Sequence, residues 1–387
     1  MLRIDSLAAG GDGVGRGKDG RVVFVPFTAP GDLVRVEIRS ERARLARGRV
    51  AALLEPGAAR TDPVCPVFGS CGGCAWQHVD YDAQVAAKLQ ILGDALERLG
   101  GVDLAGPITI TPSPSPYQYR GRTRVAVVHG RVGYRKRRSH SLCRVRTCPI
   151  LTPALDAELG LLAERAERCA RGDLPDGEWE IAASDDSARA VALPAREGPR
   201  AYWNLGGDRL GVSPGVFSQS NALMLETLVA AVHTAVGEGT SACELYSGAG
   251  LFTLGLARRF DRVVAVESSP QAIADLGENL RGAGLSNVEA RCQRVEGALS
   301  GEGLAGGCHD ALLIDPPRSG LPPGAVQALT SGHPPPRRIV YLSCDAATLS
   351  RDLMLFSAAG FRVARVEAFD LFPQTPHVEA LAVLEKE

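Results

Sequence analysis

A cysteine near the end of a buried strand is the residue in this sequence best placed to do chemistry. Residues 339–342 form a short apolar run that predicts a buried strand, and Cys344 follows it by two positions. Open α/β sheets bind their ligands beyond the carboxyl ends of the strands. Cys344 is therefore a candidate nucleophile, although a single cysteine is also a common small residue of protein cores.

Two more predicted strands end in polar residues or glycines. Residues 311–314 are apolar and lead into Asp315, which two prolines follow, and residues 241–246 lead into a Ser-Gly-Ala-Gly turn at 247–250. Since proline restricts the backbone, the prolines are expected to aim Asp315 into a crevice. Three strand ends would then converge there, which favours the catalytic interpretation of Cys344.

The turn containing Gly248 and Gly250 stands between a strand and a helix, as in nucleotide-cofactor sites, so we assign both glycines to cofactor binding. A dinucleotide fingerprint needs a third glycine three residues later, where the sequence has Thr253. Glu267 closes the next strand, where an acidic residue binds the ribose hydroxyls of an adenosine. With Asp315 and its prolines, these residues favour S-adenosylmethionine (SAM) over NAD. The glycines alone could form an ordinary tight turn.

Three cysteines, Cys65, Cys71 and Cys74, follow a C-x5-C-x2-C pattern with glycines between them. Cys148 is the best fourth ligand because it repeats the Cys-Pro dipeptide of Cys65, and Cys143 is the alternative. Four thiolates suit a tetrahedral zinc ion or an iron–sulfur cluster. The pattern predicts a metal site and leaves the metal open.

The charges of the chain balance overall but are unevenly distributed. Lys and Arg number 43 against 44 Asp and Glu, for a net charge of −1. Residues 120–146 nevertheless contain ten basic residues and no acidic one. Such a tract indicates a surface that binds a phosphate backbone, with a solvated sheet face as the alternative.

The pattern of strands and helices divides the chain into three regions. Short strands and glycine turns in residues 1–56 predict an OB-like barrel, a fold that often binds oligonucleotides, although a β-hairpin decoration is also compatible. Residues 57–210 hold the cysteines, the basic tract and helices predicted at 81–99 and 151–171. Alternating strands and helices in residues 211–387 predict a doubly wound parallel sheet.

No stretch is long enough to span a membrane, and the N-terminus lacks an apolar signal segment. We therefore expect a cytoplasmic protein. In that compartment, ten cysteines indicate metal, cluster or catalytic use, or core filling, and not disulfides.

In combination these motifs resemble the RNA (uracil-5-)methyltransferase family, and in particular its 23S rRNA members with an N-terminal TRAM domain and a [4Fe–4S] cluster. The resemblance extends over nearly all 387 residues. It is carried by Cys65, Cys71, Cys74, Cys148, Gln219, Glu267 and the segments 244–250, 315–320, 343–345 and 372–379. Leu251 and Arg294 depart from it, since some members have asparagine at these positions.

The resemblance implies a TRAM barrel at 1–56, a small central α+β iron–sulfur domain with a basic RNA-binding surface at 57–210, and a Rossmann-like SAM-dependent methyltransferase domain at 211–387. By resemblance, Cys344 is the nucleophile and Glu379 the base. The SAM contacts would be Gln219, Tyr246, Glu267 and Asp315, and the ligands of a [4Fe–4S] cluster would be Cys65, Cys71, Cys74 and Cys148.

The implied activity is methyl transfer from SAM to C5 of a uridine in RNA, through a covalent bond between the cysteine and C6. We expect 23S rRNA as the substrate. The alternatives are a T-loop uridine of tRNA, an RNA-binding or chaperone protein with incidental catalysis, and a SAM enzyme acting on small molecules. We expect a monomer that binds neither DNA nor membranes.

Overall fold

A computed structural model describes residues 1–98, 100–102, 104, 106–168, 174–184, 187–195, 198–299, 310–331 and 335–386. Within these residues the chain forms three β-sheets, and helices cover the second and third.

The first sheet has six strands in the spatial order β1-β5-β6-β4-β3-β2. Its side chains alternate between buried and exposed, and Ile4, Val25 and Val34 lie in its small core. All neighbouring strands are antiparallel except β4 and β6. The strands are β1 (Leu2–Arg3), β2 (Ser6–Leu7), β3 (Gly13–Arg16), β4 (Val22–Val25), β5 (Leu33–Glu41) and β6 (Leu45–Glu55).

Two elements that follow the first sheet pack on the third. Helix α1 (Tyr81–Arg98) begins where the sequence predicts, whereas the predicted last residue, Leu99, lies outside the described residues. Leu92 and Leu96 are fully buried on one side of α1, in the same core as the helix α8 (Ala346–Ala358). Strand β7 (Thr109–Thr111) joins the edge of the third sheet.

The second sheet has seven strands in the order β10-β9-β8-β11-β13-β14, with β12 paired to β11. Helix α2 (Pro153–Arg168) covers one face through Leu155, Leu159 and Leu162; it begins two residues after its predicted start at 151, and the predicted end at 169–171 lies outside the described residues. The strands are β8 (Arg122–Val128), β9 (Arg131–Arg135), β10 (Leu142–Arg144), β11 (Gly177–Ser184), β12 (Ser187–Ala192), β13 (Ala201–Leu205) and β14 (Asp208–Val212).

Half of the ten basic residues in the tract 120–146 have acidic partners from elsewhere in the chain. The pairs are Arg122 and Arg124 with Glu180, Arg137 with Asp12, and Arg144 and Arg146 with Glu167. These ion pairs neutralise part of the positive charge of the tract. An external anion is therefore needed less for that purpose than the local sequence indicates. Its role as an RNA-binding surface stays a prediction, for which Arg131, Lys136 and Arg138 are exposed.

The third sheet has eight strands in the order β17-β16-β15-β18-β19-β21-β20-β7, and confirms the predicted Rossmann-like fold. Strands β15 to β19 run parallel, and β21 is antiparallel to both of its neighbours. Apolar cores lie on both faces. The strands are β15 (Gly239–Leu245), β16 (Phe260–Glu267), β17 (Val288–Cys292), β18 (Ala311–Ile314), β19 (Arg338–Ser343), β20 (Phe361–Phe369) and β21 (Glu379–Lys386). The other helices are α3 (Leu225–Val236), α4 (Thr253–Ala257), α5 (Pro270–Gly282), α6 (Val295–Leu299) and α7 (Ala325–Thr330).

Two findings bear on the sequence-based expectations about compartment. No helix of the described residues is both long enough and apolar enough to cross a membrane. Cys243, buried in β15, is disulfide-bonded, so the expectation that the cysteines form no disulfides is wrong for this residue.

Candidate active site

The carboxyl ends of the parallel strands open onto a cavity of about 810 Å³. Tyr246 follows β15, Glu267 ends β16, Asp315 follows β18 and Cys344 follows β19, and all four line the cavity. This is the edge at which open α/β sheets bind ligands. The cavity is also lined by Cys65, Cys71, Cys74, Cys148, Gln219, Gly248 and Glu379. Of the residues that the sequence singled out, Gly250 is not in its lining.

The antiparallel strand β21 brings Glu379 beside Cys344. Ser343, the last residue of β19, pairs with Ala380 of β21. Cys344 directly follows Ser343 and Glu379 directly precedes Ala380, so both residues lie one step beyond this last pair, and the charge of Glu379 acts on the Cys344 thiol. The two residues that the resemblance implies as nucleophile and base therefore stand at neighbouring positions of one cavity wall.

Two carboxyl groups of the cavity, those of Glu379 and Asp315, are held in an environment that favours their neutral forms. Glu379 is 2% exposed. Burial raises its pKa well above the ordinary value, the nearby Asp315 raises it further, and Arg318 opposes the rise. Burial also raises the pKa of Asp315 to about 7. A carboxylate with a raised pKa is a stronger proton acceptor, as a general base requires.

The thiol of Cys344 responds to the same surroundings. Burial raises its pKa to about 11, and the charges of Glu379 and Asp315 act in the same direction, whereas Arg318 lowers it. Arg318 Nη2 lies 3.2 Å from His377 Nε2. Burial and the charges of Arg318 and Lys88 lower the pKa of His377 to about 4, so at neutral pH the neutral imidazole can accept a hydrogen bond from the Arg318 guanidinium. His377 thus helps to hold the cation that favours the thiolate.

The backbone after Cys344 is fixed by a helix cap. Asp345 caps α8 by accepting from the N–H groups of Ala347 (3.1 Å) and Thr348 (2.9 Å). Ser343 Oγ accepts from the Asp345 N–H at 3.2 Å. The cysteine is therefore enclosed between a strand end and a capped helix start.

The predicted cofactor turn lies against Glu267. One carboxylate oxygen of Glu267 accepts from the Gly248 N–H (3.1 Å) and the other from the Ser269 N–H (2.7 Å). The second oxygen also accepts from the Ser268 hydroxyl at 3.2 Å, so the oxygen bonded to Gly248 is the one with a further lone pair that could accept from a ribose hydroxyl. Gly250 has a φ of +96°, and a Cβ added there would lie 2.5 Å from Leu276 Cδ1, so the turn requires glycine at this position.

Phe217 and Arg318 are among the cavity residues to which the sequence analysis assigned no role. Phe217 is 71% exposed although it lines the cavity, two positions before Gln219. Arg318 could have been found from its position directly after Asp315 and the two prolines. Phe217 gave no comparable signal, because an apolar residue in a loop usually belongs to the core.

The two departures from the family pattern lie in different surroundings. Leu251 lines a small side cavity with Gln219 and Gly248. The Arg294 side chain is 80% exposed and forms an ion pair of 3.6 Å with Glu296.

The four predicted metal ligands belong to the lining of the large cavity. Burial raises the pKa of Cys71 to about 11 and that of Cys74 to about 12, and the neighbouring thiols raise both further. The Gly73 N–H donates to Cys71 Sγ at 3.4 Å. Cys143 instead lies buried in β10. In the described part of the chain, no three His, Cys, Asp or Glu side chains are grouped closely enough to hold a metal ion.

A Rossmann-like sheet, a glycine turn beside an acidic strand end, and a Cys–Glu pair at the same edge define a SAM-dependent methyltransferase. The family model described as tRNA (Uracil-5-)-methyltransferase matches residues 212–387, and the TRAM domain model matches residues 2–51. The chain belongs to this family of RNA uracil-C5 methyltransferases, which use SAM.

Relatives match along the whole chain. It is 33% identical to the 23S rRNA (uracil(1939)-C(5))-methyltransferase of Edwardsiella ictaluri, over 100% of this chain and 95% of the relative. It is 31% identical to an uncharacterized RNA methyltransferase of Thermosynechococcus vestitus, over 99% of this chain and 97% of the relative.

A solved structure has the same fold. It is the Pyrococcus abyssi tRNA (uracil-54, C5)-methyltransferase in complex with S-adenosyl-L-homocysteine, with a TM-score of 0.75 at 24% identity, covering 99% of this chain and 100% of that one. The expected Rossmann-like fold and TRAM domain are confirmed.

The opposed charges around Cys344 predict opposite effects on its alkylation. Arg318→Gln should slow the reaction with iodoacetamide at a fixed pH below 11, because loss of the cation raises the thiol pKa further. Glu379→Gln should accelerate it at a pH above the raised pKa of Glu379, where this carboxyl is ionised, because a negative charge is then removed. Mass spectrometry of the labelled peptides gives both rates, with the exposed Cys292 as internal reference. Shifts in the same direction would contradict this account of the charges.

Proposed function

We propose that Cys344 is the nucleophile and Glu379 the general base of uridine C5 methylation. The observation that carries this assignment is their adjacency in the β19–β21 register, at the wall of the cavity that also reaches the cofactor turn. Arg318, which favours the Cys344 thiolate, supplies the charge that this nucleophile needs.

The chemistry of uracil explains the need for this pair. C5 is a weak carbon nucleophile, and the hydrogen on it is not acidic. Addition of the Cys344 thiolate to C6 forms a C6–S bond and makes C5 an enolate carbon that can form a bond to a methyl group. SAM, when bound, supplies that methyl group in a form activated by its sulfonium. Glu379 then takes the proton from C5, the C5–C6 double bond re-forms, and the C6–S bond breaks to return the thiolate.

The residues around the glycine turn form the proposed cofactor site. We assign Gln219, Tyr246, Gly248, Gly250, Glu267 and Asp315 to SAM. Glu267 would accept from the ribose hydroxyls, and the required glycine at position 250 keeps the turn free of side chains. Asp315 lies between this turn and the Cys–Glu pair, at the place where the methyl group must cross to the base.

The proposed substrate is 23S rRNA. This proposal is supported by relatives that match this chain over its whole length and carry 23S rRNA names. A uridine within a helix cannot expose C6 to a thiol and C5 to a carboxylate, so the target base must be turned out into the cavity. In this proposal residues 1–56 and the basic surface of residues 57–210 hold RNA phosphates, and residues 211–387 carry out the chemistry in a cytoplasmic monomer that does not act on DNA.

We further propose that Cys65, Cys71, Cys74 and Cys148 hold a [4Fe–4S] cluster. The donor set is all thiol, its four members line the same cavity, and they are too far apart for a single ion, which is compatible with a cluster in which each thiolate binds a different iron. The N–H donated to Cys71 Sγ is of the kind that stabilises a metal-bound thiolate. The cluster would tie together the loop at residues 65–74 and the segment after β10.

The first test separates the two catalytic roles. Cys344→Ala should abolish methylation. Glu379→Gln should reduce turnover by about 10²–10⁴-fold and accumulate a covalent RNA–protein adduct, because the C5 proton stays in place. Denaturing gels with labelled RNA detect the adduct. Turnover by Cys344→Ala would rule out the nucleophile, and lack of an adduct with Glu379→Gln would rule out the base.

The second test identifies the RNA. With radiolabelled SAM, we expect label in 23S rRNA fragments and none in tRNA, and nuclease mapping should place it on a single uridine as 5-methyluridine. Label confined to the T loop of tRNA would contradict the proposed substrate while keeping the reaction.

The third test concerns the cluster. Anaerobically purified protein should be brown and contain roughly four iron and four sulfide per chain. Cys148→Ser should lower the iron content, whereas the matched variant Cys143→Ser should retain it. A colourless protein with stoichiometric zinc, or iron loss only with Cys143→Ser, would contradict the proposed ligand set.

A further inference from the structure

Glu379 is preceded by a buried loop without regular structure. Residues 370–378 connect β20 to β21, and Glu379 is the first residue of β21. The position of its carboxyl group therefore depends on how well this loop is fixed. Three groups of contacts are prominent among those that fix it, and two of the three come from α1.

The start of the loop is held by Lys88 of α1. Lys88 and Asp370 are both 0% exposed and form an ion pair of 2.5 Å. Lys88 Nζ also donates to the Phe372 carbonyl at 2.9 Å, and Asp370 Oδ1 accepts from the Phe372 N–H at 3.2 Å. Since neither charge reaches water, each depends on the other for stabilisation.

The middle of the loop is held by Gln84, one turn earlier on α1. Its Oε1 accepts from the Gln374 N–H at 2.9 Å, and its Nε2 donates to Gln374 Oε1 at 3.0 Å. Gln374 has a φ of +69°, a strained value for a residue with a side chain, so these bonds hold a conformation that the loop would not favour alone.

The third group of contacts joins the loop to the cysteine segment. The Gln374 carbonyl accepts from the N–H groups of Ala75 (2.9 Å) and Trp76 (3.0 Å), which directly follow Cys74. The Trp76 carbonyl in turn accepts from Gln84 Nε2 at 3.1 Å. Gln84 therefore bonds both the loop and the segment that supports it.

Helix α1 is a firm base for these contacts. Gln84 and Lys88 are four residues apart, so they lie on one face, and Leu92 continues that face into the core of the third sheet. The apolar side chains of α1 thus pack on the sheet, and its polar side chains Gln84 and Lys88 bond to the loop.

We propose that Gln84 and Lys88 are positioning residues of the methylation reaction, which hold Glu379 through the loop 370–378. The inference rests on the proposed role of Glu379 as base. Neither residue lines the cavity that contains Cys344 and Glu379. Their loss should therefore slow removal of the C5 proton and leave addition of Cys344 and methyl transfer unchanged.

RNA with 5-fluorouridine at the target position separates these steps. Fluorine at C5 cannot be removed as a proton is, so the reaction stops at the methylated covalent adduct whatever the state of the base. The rate of adduct formation with fluorinated RNA reports addition and methyl transfer. Turnover with ordinary RNA also includes proton removal.

Gln84→Met removes all the hydrogen bonds of this side chain at similar size. We expect turnover on ordinary RNA to fall about 10–100-fold, with accumulation of the adduct, while the rate with fluorinated RNA and the KM for SAM stay at wild-type values. Gln90→Met, at an exposed position of the same helix, is the matched control and should leave both rates unchanged. If Gln84→Met unfolds, the Lys88 variant described next carries the test.

A second variant tests the ion pair. Lys88→Met combined with Asp370→Asn removes both buried charges and leaves no uncompensated one, and it should separate the two rates in the same way. Equal falls in both rates, or no fall in either, would overturn the positioning role. Glu379→Gln serves as reference. If it does not separate the rates, the assignment of the base has failed, and the inference fails with it. If it does and the α1 variants do not, only the positioning role has failed.

Discussion

The pairing of β21 with β19 is the constraint on which the active site depends. Strands β15 to β19 are parallel, and their carboxyl ends carry the cofactor turn, Asp315 and Cys344. A carboxylate at the start of a parallel strand would lie at the opposite edge of the sheet. Because β21 runs antiparallel, its first residue, Glu379, lies beside the end of β19. One reversal of strand direction thus brings an acid and a thiol together.

Burial changes the proton affinities of both groups of this pair, with a favourable effect on one and an unfavourable effect on the other. Removal from water raises the pKa of the Cys344 thiol and of the Glu379 carboxyl, which strengthens the carboxylate as a base but disfavours the thiolate. Arg318 opposes both shifts, and its place is set by His377. The loop between β20 and β21 therefore affects both the thiol and the carboxyl group. It contains His377, which contacts Arg318, and it leads directly into Glu379.

The three regions of the sequence are joined by contacts at this loop. Gln374 bonds to α1 and to the segment after Cys74, and the Trp76 Nε1–H of that segment donates to the Gly11 carbonyl near the first sheet at 3.0 Å. Tyr119 donates its hydroxyl to the Pro373 carbonyl at 2.8 Å. Residues from all three regions of the sequence thus support the start of β21 together.

The sequence alone determined the sheet of the third region, the glycine turn, the clustered cysteines and the cysteine near the end of β19, because these follow from local patterns of apolar residues and glycine. It could not reveal that Glu180, Asp12 and Glu167 neutralise half of the basic tract, since ion pairs between distant segments leave no local pattern. Glu379 was recognised through family resemblance, and its adjacency to Cys344 was decided only by tertiary structure. The reason is physical: strand direction and register bring together residues whose separation along the chain carries no information about their distance.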